Sequence, residues 1–156
     1  MLECSVIILN WNGEAMLRRY LPSVIQYTQL EGVEIVVADN GSTDASLEFL
    51  HSQPVRIIEL GENLGFAEGY NRAIEQVESK YVVLLNSDVE VTSNWLDTLL
   101  NYARAHEDVV AIQPKILSWQ SKEDAIKAGS SEILFEHAGA AGGMIDCLGY
   151  PYCYGR

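Results

Sequence analysis

"VEIVVADNGSTDASLEFLHS" (residues 33–52) decides the fold. Its opening run, Val33 to Asp39, is apolar and β-branched over the length of a strand. A turn of Asn, Gly, Ser and Thr follows, and then apolar residues return at helical spacing, with Ser42 or Thr43 as the helix cap and acids in the first turn. A strand apolar along nearly its whole length must be covered on both faces, and a helix that starts directly after it can supply one of the covers.

The same unit recurs on either side. "CSVIILN" (4–10) leads into the helical pattern "EAMLRRYLPSVIQYT" (14–28), where Pro22 marks a kink. "VRIIEL" (55–60) leads into "GFAEGYNRAIEQVES" (65–79). "YVVLLN" (81–86), which reads as a strand from the middle of the sheet, precedes "SNWLDTLLNYARAH" (93–106), capped by Ser93, and "VVAIQPKIL" (109–117) reads as a fifth strand. Strands alternating with helices imply an α/β fold: a three-layer α/β/α sandwich around a mostly parallel central sheet. Residues 118–156, rich in Gly, Ala and Tyr, break the rhythm and carry only short periodic pieces. The expected organisation is an α/β domain over 1–117 and, over 118–156, the start of a further region whose remainder lies beyond Arg156.

Composition narrows the function. With 156 residues, 48% of them hydrophobic and 21% charged, one domain with one good core is affordable. The net charge of −12 argues against a nucleic-acid binder, since that affinity comes mainly from Lys and Arg neutralising phosphates. Three cysteines without a CxxC pair favour neither a disulfide framework nor a zinc site. The first apolar run is far shorter than the ~20 residues of a membrane-spanning helix and lacks the basic start of a signal peptide, which points to the cytoplasm, at the inner face of the membrane at most.

In an open parallel sheet, ligands bind outside the carboxyl ends of the strands. Those ends carry Asn10, Trp11 and Asn12 after the first strand, Asp39 and Asn40 with "GSTD" after the second, "GENLG" after the third, and Asn86, Ser87 and Asp88 after the fourth. Taken singly, each has a plain structural reading. Asp39 to Ser42 makes a turn with a helix cap, Trp11 a rim residue, "GENLGFAEG" a loop running into a helix, and Asp88 an early cap. Together they aim amides, carboxylates and an indole at one edge. Two familiar phosphate motifs are absent: "NWNGEAML" follows the first strand where a dinucleotide fold needs GxGxxG, and no GxxxxGK[ST] loop occurs.

"SVIILNWNG", "VEIVVADNGSTDAS", "VRIIELGENLGFAEGYNRAI" and "YVVLLNSDVEV", in this order, resemble the N-terminal nucleotide-binding half of family 2 glycosyltransferases, inverting enzymes of the GT-A fold, and among them the bacterial rhamnosyltransferase-like members. The resemblance implies roles. Leu9 and Trp11 line the base pocket, with Trp11 stacking on a pyrimidine. Asp39 and Asn40 match an acidic pair that contacts base and ribose, Asn40 replacing the second acid. Asn63, Gly65 and Asn71 match the loop and helix beneath the nucleotide and donor sugar. "NSD" matches an Asp-x-Asp segment, with Asn86 in place of the first acid and Asp88 as metal ligand; Asn10 and Ser87 complete the nucleotide-binding set.

Electrostatics makes the same demand independently. A nucleotide diphosphate-sugar adds negative charge to a chain already at −12, and only Arg72 lies near the edge, so a Mg²⁺ or Mn²⁺ on Asp88 is implied. The implied partners are a nucleotide-diphosphate sugar and a saccharide or lipid-linked acceptor in surface-polysaccharide assembly. The full-length enzyme is expected to associate peripherally with a membrane, and this chain to self-associate through its C-terminal aromatics.

Inverting transfer also needs a general base. None of Glu90, Asp97, Glu107, Asp108, Glu123, Asp124, Glu132, Glu136 and Asp146 sits in a matching setting, so the base is expected beyond Arg156. In the tail, His137, Tyr150, Tyr152 and Tyr154 read as rings that pack against a further half or border an acceptor site. The alternatives are a nucleotide-sugar-binding module without catalysis and a sugar-nucleotide pyrophosphorylase, for whose basic, glycine-rich loop "NWNGEAMLRRY" is a poor substitute.

Overall fold

The computed structural model describes residues 1–114 and 116–129, together with the backbone of two short strands at 143–145 and 151–153. The chain order is β1 (Leu2–Asn10), α1 (Glu14–Tyr27), β2 (Val33–Asp39), α2 (Ser46–Leu50), β3 (Arg56–Glu59), α3 (Gly65–Ile74), β4 (Ser79–Asn86), α4 (Trp95–Ala105), α5 (Trp119–Ala128), β5 (Gly143–Ile145) and β6 (Pro151–Cys153). The chain divides into two compact bodies, Met1–Asp97 and Thr98–Arg156.

The first body is the layered α/β unit. Its four strands are all parallel, in the order β3-β2-β1-β4. The chain starts at β1, steps outward through β2 to β3, then returns to the other side of β1 for β4. This reversal makes a topological switch point between β1 and β4, the place where open α/β sheets take their ligands. Alternation along β1 sends Ile7 and Leu9 to one face, where they join Val36, Ala38 and Ile58 beneath Tyr70 and Ala73 of α3. Val6, Ile8 and Val37 point the other way and are equally buried, and Leu17, Leu21 and Val24 give α1 its buried stripe. α1 runs unbroken through Pro22 and meets α2, with the Arg18 guanidinium 4.5 Å above the Phe49 ring. Cys4 lies in this core as a free thiol; burial, and secondarily the negative Glu3, push it up to about 11, which makes it an unreactive thiol.

Three expectations change. β4 is not a central strand: among the described residues it bonds only to β1, and Val82 and Leu84 are 38% and 53% exposed. Among the described residues its apolar run meets a strand on one side. Residues 109–114 form no strand, because Pro114 lacks an amide donor and Val110 stands fully in solvent. α2 starts at Ser46 rather than after Ser42 or Thr43, because the Ser42 hydroxyl is held by Asn10 and Asn12 at the end of β1.

In the second body, α5 is a helix where only short periodic pieces were expected. Its punctuation was readable: the Ser118 side chain accepts from the Ser121 N–H, and Gly129 closes the helix at φ 65°. β5 and β6 pair antiparallel, Met144 opposite Tyr152. The ring expectations for His137, Tyr150, Tyr152 and Tyr154 fall outside the described side chains.

Candidate functional site

The strand register assembles the site. Asn10 pairs with Asp39 across the β1–β2 ladder, and Leu9 with Asn86 across β1–β4, so the last residues of three adjacent strands stand side by side. Asp88 follows two positions after Asn86, at the same end of the sheet as Asp39.

Beneath this edge lies a framework of buried polar groups. Asn10, Asp39 and Asn40 are only 1–2% exposed. Asn10 Nδ2 donates to Asp39 Oδ1 at 3.0 Å and to Ser42 Oγ at 3.1 Å, while Asp39 Oδ2 accepts from the Ser42 N–H at 2.9 Å. Each carboxylate oxygen of Asp39 therefore keeps unused acceptor capacity. Asn10 Oδ1 is buried without a partner, and a Cβ on Gly13 would collide with it, so the chain after β1 folds directly over this oxygen.

Asn12, at φ 49°, stitches the loops after β1 and β2 together. Its Oδ1 accepts from the N–H groups of Thr43 at 2.7 Å and Asp44 at 3.3 Å, and its own N–H donates to Ser42 Oγ at 2.9 Å. Ser42 is thus occupied by the loop after β1 and does not cap α2. The N-cap position is Ala45, which has no polar side chain to offer, and Asp44 just before it meets the helix start instead: Oδ1 accepts from the Ser46 N–H at 3.0 Å and Oδ2 from the Glu14 N–H at 3.1 Å, so one carboxylate serves the first N–H groups of α2 and α1 together. Asp44 is exposed, and the slight desolvation it undergoes raises its carboxyl. The nearby Ser46 hydroxyl and the backbone N–H groups of Glu14, Ser46 and Asp44 outweigh it and hold the carboxyl below its ordinary value. The Ser46 hydroxyl itself falls short of well-formed hydrogen-bond geometry. Sequence reading placed Asn12 and the segment containing Asp44 at this edge but gave neither a role, although an Asp that bonds the N–H two residues on is a familiar turn signal.

The loop after β3 is held as closely. Asn40 Oδ1 accepts from the Leu64 N–H at 3.0 Å, and its Nδ2 donates to Asn63 Oδ1 and to the Gly65 carbonyl, both at 3.1 Å. Gly41, at φ 74°, permits the loop's approach, since a Cβ there would lie 2.6 Å from Glu62 Cα. Gly69 allows α3 to settle against the Leu9 side chain. Tyr70, one residue on, is 3% exposed and donates its hydroxyl to the Leu85 carbonyl at 2.9 Å, tying α3 to the end of β4. Burial raises the Tyr70 phenol; the Leu9 backbone works against this and the Asp88 carboxylate adds to it.

Above this framework stand the accessible groups. Trp11 is 56% exposed, Asn63, Gly65, Asn71, Asn86 and Asp88 are exposed, and Leu9 and Ser87 are half-buried. Arg72 is not a free cation, for Glu68 and Glu75 of its own helix region hold it at 2.8 and 3.5 Å. No cluster of three or more His, Cys, Asp or Glu able to hold a metal occurs among the described residues. Asp88 beside Asn86 suits the weaker demand of a Mg²⁺ that takes one carboxylate and completes its shell with phosphate oxygens and water.

Two open concavities, of about 370 and 440 Å³, lie at the other end of the sheet. Both are bordered by Glu34 and Arg56, which pair with each other, and Arg56 also donates to the Gln76 carbonyl at 2.6 Å. Glu34 and Arg56 are thus engaged there, and the convergent polar residues are at the opposite, carboxyl edge.

Comparison with known proteins bears on the fold and the family. An N-acetylglucosaminyl-diphospho-decaprenol L-rhamnosyltransferase of Mycobacterium tuberculosis is 29% identical over 124 residues, covering 71% of this chain and 40% of that protein. The crystal structure of S. aureus TarS 1-349 in complex with UDP-GlcNAc superposes with a TM-score of 0.61 at 24% identity, over 68% of this chain and 32% of that one. The mannosyltransferase PcManGT from Pyrobaculum calidifontis, in complex with GDP-Man and Mn²⁺, gives a TM-score of 0.56 at 21% identity, over 74% of this chain and 34% of that one. These structural likenesses show the GT-A-type fold, and the chain spans well under half the length of each of the three proteins. The sequence profile described as Glycosyl transferase family 2 matches residues 5–139, most of the chain, and on that match the chain belongs to glycosyl transferase family 2.

Proposed function

We propose that this chain is the nucleotide-sugar-binding part of an inverting glycosyltransferase that moves a sugar from a nucleotide diphosphate to a saccharide or lipid-linked acceptor in surface-polysaccharide assembly. The observation that carries the proposal is the register, which sets Asn10 beside Asp39 and Leu9 beside Asn86 at the switch point of the sheet.

Each residue has a task that its setting supports. Trp11, exposed next to the half-buried Leu9, offers an indole face to a pyrimidine. Asp39 is held rigid by Asn10 and Ser42 and has acceptor capacity left for a base or ribose donor. Asn63, Gly65 and Asn71 border the donor, and Asn86 and Ser87 meet its diphosphate. Asp88 would hold Mg²⁺ or Mn²⁺, which supplies positive charge opposite a diphosphate whose negative charge grows as its bond to the sugar breaks. The general base that takes the acceptor proton belongs to the portion of the relatives that this chain does not span. The nucleotide-binding part extends over 1–117, and 118–156 opens the acceptor side.

Calorimetry of the chain with UDP, TDP and GDP, each with and without Mn²⁺, tests the proposal. The expected result is micromolar to millimolar binding of one nucleotide that requires the metal and is lost in Asp88→Ala. Failure of every nucleotide to bind would overturn the reading. Binding that ignores both metal and substitution would overturn the role of Asp88 alone.

A further inference from the structure

Asn40 was expected to touch base and ribose, yet its side chain is turned entirely inward. It is 2% exposed, and its Oδ1 and Nδ2 together make three hydrogen bonds to the segment Asn63 to Gly65. The amide cannot be turned around. The Leu64 N–H can only donate and the Gly65 carbonyl can only accept, so the two backbone groups fix which end is oxygen and which nitrogen. Asn63 is fixed in the same way, its Oδ1 accepting from the Gly65 N–H at 2.9 Å as well as from Asn40.

Packing reinforces the bonds. A Cβ on Gly69 would lie 3.3 Å from Asn40 Nδ2, so α3 closes over the amide, and the Gly41 backbone lies directly against Glu62. An aspartate here would be nearly the same shape but would set a carboxylate against two acceptors, Asn63 Oδ1 and the Gly65 carbonyl. An alanine would leave the Gly65 carbonyl and the Leu64 N–H without these partners, while Asn63 Oδ1 would keep the Gly65 N–H. The carboxylate is the worse of the two, because a charge facing acceptors in a buried site is repelled as well as desolvated.

We infer that Asn40 is a positioning residue. Its two N–H donors lock the Asn63–Gly65 turn, and with it the start of α3, against the end of β2, and the nucleotide is contacted by the residues this lock sets in place. The effect on ligand binding rests on the proposed function; the lock itself does not.

The test uses the 156-residue chain as wild type, Asn40→Ala, Asn40→Asp and Asn63→Asp. Two quantities are read: hydrogen exchange of the Leu64 and Gly65 amides by NMR, and the Kd for the nucleotide with Mn²⁺. Asn40→Ala is expected to speed exchange and weaken binding about tenfold, and Asn40→Asp roughly a hundredfold. Asn63→Asp retains Gly65 protection, because the observed bonds of Asn63 are all accepted at Oδ1. Binding by Asn40→Asp as tight as wild type, or unchanged exchange at Leu64 and Gly65, would overturn the inference. If Asn40→Asp does not fold, equal loss of Gly65 protection in Asn63→Asp and Asn40→Ala does so instead. A wild-type chain that binds no nucleotide sinks the proposed function, while the exchange data still decide the lock.

Discussion

Replacing Asp44 with Ala removes one carboxylate from two helix starts. The Glu14 N–H at 3.1 Å and the Ser46 N–H at 3.0 Å both lose their acceptor. A lost cap costs about 0.5–2 kcal/mol, and the exposure of Asp44 sets each bond at the lower end because water can take its place. The two together amount to about 1–2 kcal/mol, which for a chain of this size lowers Tm by roughly 3–6 °C. Asp44→Asn keeps one acceptor oxygen and loses the charge, so about half of that is recovered. The effect depends on pH with a definite sign. The folded-state carboxyl lies below its ordinary 3.8, so its stabilisation is complete above that value and is lost as the pH falls through the lower, folded-state pKa. Calorimetric Tm values of wild type and Asp44→Ala should therefore differ fully at neutral pH and converge in strong acid, and a carbon-13 titration of the Asp44 carboxyl should give a midpoint below 3.8. A wild-type Tm in Asp44→Ala at neutral pH, or a gap that stays constant into acid, refutes the shared cap.

Tyr70→Phe keeps the edge-on ring contact with Phe66, whose centroid is 5.0 Å away, but strips the Leu85 carbonyl of its donor. A loss of about 1–2 kcal/mol in urea unfolding is expected, with faster amide exchange at the end of β4, and an unchanged midpoint would show that the hydroxyl bond carries nothing. Gly41→Ala forces a Cβ to within 2.6 Å of Glu62 Cα at φ 74°, whereas Gly61→Ala, at φ 84°, meets nothing within 4 Å. The second substitution should cost only the left-handed backbone, about 1 kcal/mol, and the first about 2–3 kcal/mol more in the same assay. Equal costs would mean that the loops after β2 and β3 do not meet as described.

The alternation of strands and helices was legible because it is a local property. Period-two and period-3.6 patterns in "VEIVVAD" or "GFAEGYNRAI" follow from backbone geometry within a few residues, and parallel strands joined by helices then bring Asn10, Asp39 and Asn86 to one edge. The placement of the candidate site followed from the sequence for that reason.

What each polar group does there was not local. Ser42 and Thr43 looked like caps for the following helix, but Ser42 bonds to the loop after β1, 30 residues away, and the first helical N–H is met by Asp44. Asn40 looked like a ligand contact, but its amide is spent on residues 24 and 25 positions along the chain. β4 carries a central strand's apolar run yet has one described neighbour, and the apolar run at 109–114 has none. A side chain's chemistry fixes what it can donate or accept, while its partner depends on which loops the sheet register brings within 3 Å. Sequence alone therefore determined the layers of this protein and the edge where its polar residues gather, and tertiary structure decided which of those residues hold the edge together and which face the solvent.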